Sequence, residues 1–339
     1  MKEIVVPLLK WFKENKRDLD WRKNRTPYTI LVSEVMLQQT RVETVRSYYK
    51  RFIHELPDFE SLAKCEETKL LKLWEGLGYY SRARNLKKCA IEVVEKYHGM
   101  FPKDYEQAIQ LSGVGSYTCG AVLSIGYQLK YAAVDGNVLR VLTRYTASSL
   151  DISLEKTKQY FKHELEKIMP DEAGTFNESL MELGATICMP KITKCEACPL
   201  HFSCKSYQEQ TQLHYPIKAK AKEKKIFEYT CLFVTDGNKY ILVSKESNLL
   251  KGLPSPFLID HFLTHNEAIE ETENLGFSVK NVITLKEKKH IFTHQIWYMK
   301  GYKLLVSNLL DYPNYTEKQI TNELSISSCF KKFLDEILN

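Results

Sequence analysis

The sequence predicts a mostly α-helical N-terminal region, residues 1–205, joined by a basic linker, 206–225, to an α+β C-terminal domain, 226–339. Three observations carry this prediction. Apolar residues recur at helical spacing up to about residue 205, four cysteines gather at the end of that stretch, and strand-like runs appear only after a lysine-rich segment. A chain of 339 residues suits two or three domains better than one. Its 44% hydrophobic, 12% aromatic and 27% charged content excludes wholesale disorder, collagen and coiled coil.

The helical spacing is seen in Val5-Leu8-Leu9-Phe12, Ile30-Val35-Leu37, Val45-Tyr48-Phe52 and Val138-Leu139-Leu142. Pro27, Pro57, Gly76 with Gly78, Gly99 with Pro102, Gly113 with Gly115, and Pro170 break the stretches apart. Residues 216–225 read PIKAKAKEKK, a solvated linker with a possible second use against phosphate. Beyond it, Tyr229–Val234 and Tyr240–Val243 read as strands around Asp236-Gly237-Asn238. A helix is expected over His265–Leu275, stopped by Gly276, and extended pieces near Val279–Leu285, His290–Phe292 and Ile296–Leu305. No stretch approaches the ~18–20 apolar residues of a membrane span, and the N-terminus lacks the pattern of a signal peptide. A cytoplasmic protein without membrane contact is therefore expected. The 48 basic against 42 acidic residues give +6, a balance compatible with nucleic acid.

Without an export signal, the nine cysteines should be reduced thiols or metal ligands. Cys65, Cys89, Cys119, Cys231 and Cys329 are scattered and read as small buried hydrophobes. Cys188, Cys195, Cys198 and Cys204 follow the spacing C-x6-C-x2-C-x5-C within 17 residues. Four such thiolates can converge on one soft centre, a zinc ion or an iron–sulfur cluster. Paired CxxC zinc-finger spacing is not present, and the unequal gaps better suit wrapping a cuboidal [4Fe-4S] cluster. Lys191, Lys194, His201 and Lys205 surround it, either to meet phosphate or to offset the cluster's charge.

Leu111-Ser112-Gly113-Val114-Gly115 precedes Ser116-Tyr117-Thr118 and a small-residue helix. Glycines on both sides of one aliphatic residue allow a tight turn that presents backbone N–H groups, and the helix beginning there adds its positive dipole end. Such a hairpin can hold a phosphate without reading sequence, or can simply join two helices. Further on, Val134-Asp135-Gly136-Asn137-Val138 opens another helix, with Asp135 an N-cap whose carboxylate should remain ionised.

Together LSGVGSYT, VDGNVLRV and the cysteine spacing resemble the helix–hairpin–helix DNA glycosylases that carry an iron–sulfur cluster. Ser33-Glu34-Val35-Met36-Leu37-Gln38-Gln39-Thr40 and Gly76-Leu77-Gly78-Tyr79-Tyr80-Ser81-Arg82 narrow the resemblance to the adenine glycosylases of A/G mismatches, the MutY type. It is close over about residues 17–205 and looser to the end, where the family carries a Nudix-like domain that recognises 8-oxoguanine. The resemblance implies a six-helix hairpin-bearing subdomain at about 24–134 and an iron–sulfur subdomain from 1–23 plus 135–205. It also implies a monomeric, monofunctional enzyme of base excision repair that acts on double-stranded DNA with 8-oxoguanine:adenine or guanine:adenine mispairs.

By that resemblance Glu34 is the general acid that protonates the flipped adenine, among apolar neighbours that would raise its pKa. Asp135 stabilises the oxocarbenium-like sugar, and Asn137 and Tyr117 hold it in place. Arg17, Trp21, Arg22, Leu37 and Glu178 line the adenine pocket; Asp20 and Ser112 stand where the family usually has proline. Gln39, Thr40, Leu77, Gly78 and Tyr79 approach DNA around the lesion, with Tyr79 as a wedge, and Gly113, Val114 and Gly115 grip a phosphate. The four cysteines hold the metal cluster. At Tyr117 the endonuclease III type has a Schiff-base lysine; a phenol cannot form an imine, so no β-lyase step is expected.

In the C-terminal third, His265–Phe277 lacks the glutamate box of an active Nudix hydrolase, which predicts binding without hydrolysis. Phe292-Thr293-His294 resembles the family's loop at 8-oxoguanine, with Thr293 reading the lesion's edge. Two alternatives share part of the pattern. An endonuclease III-like glycosylase of oxidised pyrimidines is opposed by Tyr117, Gln38-Gln39 and the extra domain; a non-catalytic DNA-binding redox sensor has no need of Glu34 or Asp135.

Overall fold

The computed structural model describes residues 1–219, 223–244 and 250–338. The chain divides into two compact units, Met1–Cys65 with Ser81–Lys220, and Glu66–Tyr80 with Ala221–Asn339. The first is helical. Its elements are α1 (Val5–Asn15), α2 (Pro27–Leu37), α3 (Val42–Glu55) and α4 (Phe59–Lys64). After α5 (Glu67–Trp74), which belongs to the second unit, come α6 (Ser81–Tyr97), α7 (Tyr105–Ala108), α8 (Ser116–Ala121), α9 (Gly136–Tyr145), α10 (Glu155–Glu166), α11 (Ala173–Thr186) and α12 (Lys205–Gln208).

Local chemistry explains where the decisive helices start. Thr26 caps α2 through the Thr29 N–H, with Pro27 at the first helical position where its missing donor costs nothing. Nine of the eleven residues of α2 are buried, so this helix is the centre of its unit rather than an amphipathic surface helix. Asp135 caps α9, whose Val138, Leu139, Val141 and Leu142 join Ile4, Leu8, Phe161, Phe176, Leu180 and Leu183 in one core. α8 meets the segment before α9 closely because glycine removes a side chain: a Cβ on Gly120 would lie 2.3 Å from the Ala132 carbonyl oxygen. α8 continues into a π-helical turn at Val122–Gly126.

The second unit is built on a six-stranded sheet. Its strands are β1 (Lys225–Thr235), β2 (Lys239–Ile241), β5 (Phe257–Ile259), β6 (Val279–Ile291), β7 (Gln295–Val306) and β8 (Asn314–Thr316). β3 (Val243–Ser244) and β4 (Pro254–Ser255) form a separate pair. The sheet order is β6-β7-β1-β2-β8, with β5 also paired to β1. β1 and β7 run parallel from Lys225↔Gln295 to Thr235↔Leu305, and β6 and β7 form a long bulged hairpin. Alternation along β1 sends Leu232 to one face, where Ala268 of α13 (His265–Asn274) packs. Phe233 goes to the other, against Phe333 of α15 (Ser328–Ile337). α14 (Glu317–Asn322) precedes α15.

Three expectations change. The pieces at Val279–Leu285 and His290–Phe292 are one strand, β6, interrupted by a bulge, and Phe292 falls in the turn after it. The linker is not simply extended: Ser206 is buried, Ile152 donates to the Ile217 carbonyl and Arg144 to the Tyr215 carbonyl, both at 3.0 Å, and β1 already begins at Lys225. Residues 220–222 of that expected linker lie outside the described residues. Finally, Glu66–Tyr80 groups with the C-terminal part because Lys72, Glu75 and Tyr80 are bonded to residues 321–326. Among the described residues no helix is long and apolar enough to cross a membrane.

The packing at Gly120 makes a direct test. Gly120→Ala should destabilise the fold by about 1–3 kcal/mol, read as a lowered thermal midpoint, since the Ala132 backbone cannot yield as a flexible side chain would.

Candidate active site

The first unit holds a cleft of about 1040 Å³ bounded by α2, the 111–115 hairpin, and the starts of α8 and α9. Into it the fold brings Arg17, Trp21, Arg22, Glu34, Leu37, Gln39, Thr40, Gly113, Gly115, Tyr117, Asp135, Asn137 and Glu178. Val114 does not line it; the side chain is buried and its N–H donates to the Leu111 carbonyl, so it anchors the hairpin from behind.

Glu34 sits mid-helix in α2 and is 6% exposed. Its Oε2 accepts a short hydrogen bond from the Tyr117 hydroxyl, which also reaches Met181 Sδ at 3.8 Å, so Tyr117 holds Glu34 and not, as expected, Asp135. Burial pushes the Glu34 carboxyl up to about 7; the Tyr117 bond and Arg22 oppose the rise, and the negative charges of Asp135 and Glu178 add to it. Burial also lifts Tyr117 well above the usual phenol range, helped by the Glu34 and Asp135 carboxylates, so it stays a donor.

Asp135 is fixed at both oxygens. Oδ1 accepts the Val138 N–H at 2.7 Å and Oδ2 accepts Asn137 Nδ2 at 2.7 Å. Asn137 Oδ1 in turn accepts Arg140 Nη2 at 2.8 Å, and Arg140 also donates to the Gly184 and Cys188 carbonyls at 2.7 and 2.8 Å. The N-cap bonds pull the Asp135 pKa down as the sequence suggests, but burial outweighs them and the net direction is upward. Sequence position revealed the cap and not its depth.

Below the cleft lies an ionic lattice. Glu182 receives Arg17 Nε at 2.7 Å and Arg22 Nη2 at 2.9 Å, and Glu178 receives Arg22 Nε at 3.1 Å and Arg25 Nη2 at 2.8 Å. Burial raises the Glu178 carboxyl against these arginines, whereas bonds from Arg17 and Arg22 leave Glu182 lowered despite its burial. Glu182, Arg25 and Arg140 were missed by the sequence reading. The four-residue spacing of Glu178 and Glu182 puts both on one face of α11 and was the available signal. Trp21 is buried edge-on to Tyr49, centroids 5.7 Å apart. Asp20, where the family has proline, is instead approached by Lys50 at 3.4 Å.

At the rim, Gln39 has φ +56°, and Arg82 holds the turn by donating to the Val35, Met36 and Gln38 carbonyls at 2.5–3.1 Å and to Thr40 Oγ1 at 3.3 Å. In the hairpin only Gly113 has positive φ, +77°, and a Cβ there would meet Asn85 at 2.8 Å. Gly115 is the N-cap of α8 with ordinary φ and open space around it, so its value is access, not strain. Ser112 is tied to Glu92 through N–H and hydroxyl at 2.8 and 2.7 Å, which replaces the rigidity of a proline.

The cysteine cluster lies beyond α11. Cys188 Sγ accepts Arg144 Nη1 at 3.3 Å, and Cys188, Cys198 and Cys204 pack on the core of α9 and α11. Burial pushes the Cys198 thiol up to about 12, and the nearby Cys188, Cys204 and Cys195 add to the rise. Among the described residues no three His, Cys, Asp or Glu side chains come close enough to hold one metal ion. Four thiols without an oxygen ligand suit a soft centre, and the arginine beside Cys188 would offset the charge of a thiolate there.

The second unit carries the remaining residues. Leu77 is buried, Gly78 and Tyr79 have φ of +70° and +49°, and Tyr79 is 46% exposed. Phe292, Thr293 and His294 form the β6–β7 turn, closed by the Phe292 N–H to the Gln295 carbonyl at 2.8 Å; Phe292 packs between His290 and Trp297. The hydroxyls of Tyr79 and Thr293 are hydrogen-bonded to each other.

Residues 32–170 match the HhH-GPD superfamily of base excision DNA repair proteins. Over 327 residues the chain is 33% identical to the adenine DNA glycosylase of Buchnera aphidicola subsp. Baizongia pistaciae, covering 95% of this chain and 91% of that one. The chain belongs to the adenine DNA glycosylase family. The human adenine DNA glycosylase is 42% identical over 218 residues, 61% of this chain and 40% of the human one. A thermostable thymine-DNA glycosylase of known structure superposes with a TM-score of 0.56 at 32% identity, covering 61% of this chain and 96% of its own. A trapped endonuclease III–DNA covalent intermediate shares the fold, with a TM-score of 0.53 and 24% identity over 62% of this chain and 98% of its own. Members of this family are glycosylases of base excision repair, as the match over residues 32–170 requires.

Carbonyl-selective infrared or carbon-13 spectroscopy should find one carboxyl titrating near pH 7 that disappears in Glu34→Gln. Tyr117→Phe removes a bond that favours the ionised form, so the same transition should move to higher pH.

Proposed function

We propose that this adenine DNA glycosylase hydrolyses the N-glycosidic bond of adenine mispaired with 8-oxoguanine or guanine in double-stranded DNA. The observation that carries the reading is a buried Glu34 carboxyl, held near neutrality and bonded to Tyr117, in one cleft with the capped carboxylate of Asp135.

The target adenine must leave the stack to reach such a cleft. Glu34 in its neutral form donates its proton to adenine N7, and the C1′–N9 bond breaks with its electron pair passing to the base. The oxocarbenium-like sugar is stabilised by Asp135, whose orientation Asn137 and the start of α9 fix. The Glu34 carboxylate then takes a proton from the water that adds at C1′, which restores the acid. Arg17, Trp21, Arg22, Leu37 and Glu178 shape the base pocket. Tyr117 keeps Glu34 in place and offers no amine, so strand cleavage by β-elimination has no nucleophile.

DNA is held by the backbone of Gly113 and Gly115 in the hairpin at the start of α8, which Val114 anchors from behind. Gln39 and Thr40 approach the base stack from one loop, and Leu77, Gly78 and Tyr79 supply the wedge from another. Phe292, Thr293 and His294 approach the lesion from the β6–β7 turn of a Nudix-like domain, whose sheet is covered by α13 and α15. Cys188, Cys195, Cys198 and Cys204 would hold a [4Fe-4S] cluster, which would staple the 188–204 loop.

A duplex with 8-oxoguanine:adenine tests this directly. Strands should break only after alkali and only at adenine. Glu34→Gln and Asp135→Asn should each lower single-turnover base release by roughly 10²–10⁴-fold with DNA binding retained. The wild-type rate should fall as pH rises through about 7, because the acid form of Glu34 is then lost. Near-normal cleavage by either variant, or release of thymine glycol instead, would refute the reading. Purified protein should contain iron and acid-labile sulfide in equal amounts, both lowered in Cys198→Ser; zinc in their place would overturn the cluster.

A further inference from the structure

The segment that carries Tyr79 is clasped by the C-terminal part of its own unit. Lys72 on α5 donates to the Thr321 carbonyl at 2.8 Å and the Leu324 carbonyl at 2.9 Å, groups that the end of α14 leaves without helical partners. Lys72 also pairs with Glu75 Oε2 at 2.8 Å, and the two side chains are only 27% and 14% exposed. Glu75 Oε1 accepts the Ile326 N–H at 3.2 Å and lies 3.6 Å from Lys331 Nζ. One residue past Tyr79, the Tyr80 hydroxyl accepts from Ser325 Oγ at 3.3 Å. The turn between these contacts is braced from inside, as the Trp74 indole donates to the Gly78 carbonyl at 3.2 Å. At its exposed tip the Tyr79 and Thr293 hydroxyls meet.

We propose that Lys72 and Glu75 are positioning residues which latch the 76–80 loop to residues 321–326, so that Tyr79 and Thr293 meet a lesion as one preassembled part and selectivity for 8-oxoguanine depends on the latch. The proposal rests on the wedge and reader roles given above and adds the device that joins them. A wedge at φ +49° lies in a backbone region that persists only where its surroundings hold it. The latch supplies that hold through charged, half-buried side chains bonded to backbone groups, the kind of hydrogen bond that holds geometry most firmly. Because Thr293 sits at the β6–β7 turn of the same unit, the latch fixes the distance between the group that opens the stack and the group that reads the purine.

The test uses the full chain with its metal content and thermal midpoint checked for every variant, and compares single-turnover adenine release from 8-oxoguanine:adenine and guanine:adenine duplexes. The ratio of the two rates is independent of the fraction of active protein, so partial misfolding cannot imitate the effect. Thr293→Ala should lower that preference by about tenfold, and Lys72→Met with Glu75→Gln should lower it by a similar factor. All three changes together should lower it no further than Thr293→Ala alone, because latch and reader act through one part. Lys72→Arg should keep the preference, and 2-aminopurine beside the lesion should brighten less on binding to the latch variant than to wild type. If Thr293→Ala leaves the ratio unchanged, the reader role itself fails. If Thr293→Ala acts but the latch variant does not, or the two effects multiply, the reader stands and the latch is overturned.

Discussion

Burial of the Glu34 carboxyl inside α2 is the constraint from which the first unit's chemistry follows, because a carboxyl in that position is more stable neutral than ionised. Its pKa rises from 4.5 to about 7, and at 1.36 kcal/mol per pH unit the folded state forfeits about 3 kcal/mol as pH climbs from below 4.5 through 7. The fold tolerates this because α2 lies at the centre of its unit, with Val32, Val35 and Met36 fully packed around the site. A surface helix would let water reach the carboxyl and the acid would be lost. Stability is thus given up at one residue whose carboxyl keeps its proton to near neutral pH, a pattern that clusters at reactive sites.

Around that residue, the two carboxyls of the cleft are held by different sets of partners. Asp135 takes two hydrogen bonds to its oxygens, both favouring the ionised form, whereas Glu34 has one from Tyr117. Burial raises both carboxyls, and the extra bond on Asp135 opposes that rise more than the single bond on Glu34 does. The arginines on Glu178 and Glu182 tie the 17–25 segment to α11 and form the floor under this pair. Asn137 joins Asp135 to Arg140, and Arg140 reaches the Cys188 carbonyl, so the cysteine loop and the capped carboxylate share a bonded path.

Much of this was legible from the chain. Helical spacing, the N-cap at Asp135, the glycine turn at Gly113 and the four-cysteine spacing all depend on near neighbours in sequence, and the structure places the first three where the pattern put them. What escaped was set at long range. The depth of burial at Asp135 comes from the elements packed over α9; the arginine partners of Glu182 lie 160 or more positions away. The helices α14 and α15 were not foreseen, although Phe330, Phe333 and Leu334 recur at helical spacing. Gly113 and Gly115 read alike in the sequence, yet only Gly113 has a positive φ, because sequence cannot separate a glycine needed for φ from one needed for clearance.

The grouping of Glu66–Tyr80 with the C-terminal part was the least legible feature, and the reason is chemical. Lys72 and Glu75 bond to main-chain carbonyls and an N–H, so no complementary side chain at 321–326 advertises the contact. On α5 the two charges, three residues apart, read as an ordinary exposed pair. Yet a charged side chain that is mostly covered needs all its partners, and the end of α14 has carbonyls that need donors. Each side satisfies a demand of the other. The loop between α5 and α6 therefore belongs mechanically to the sheet that carries Thr293, even though its sequence lies within the helical two thirds of the chain.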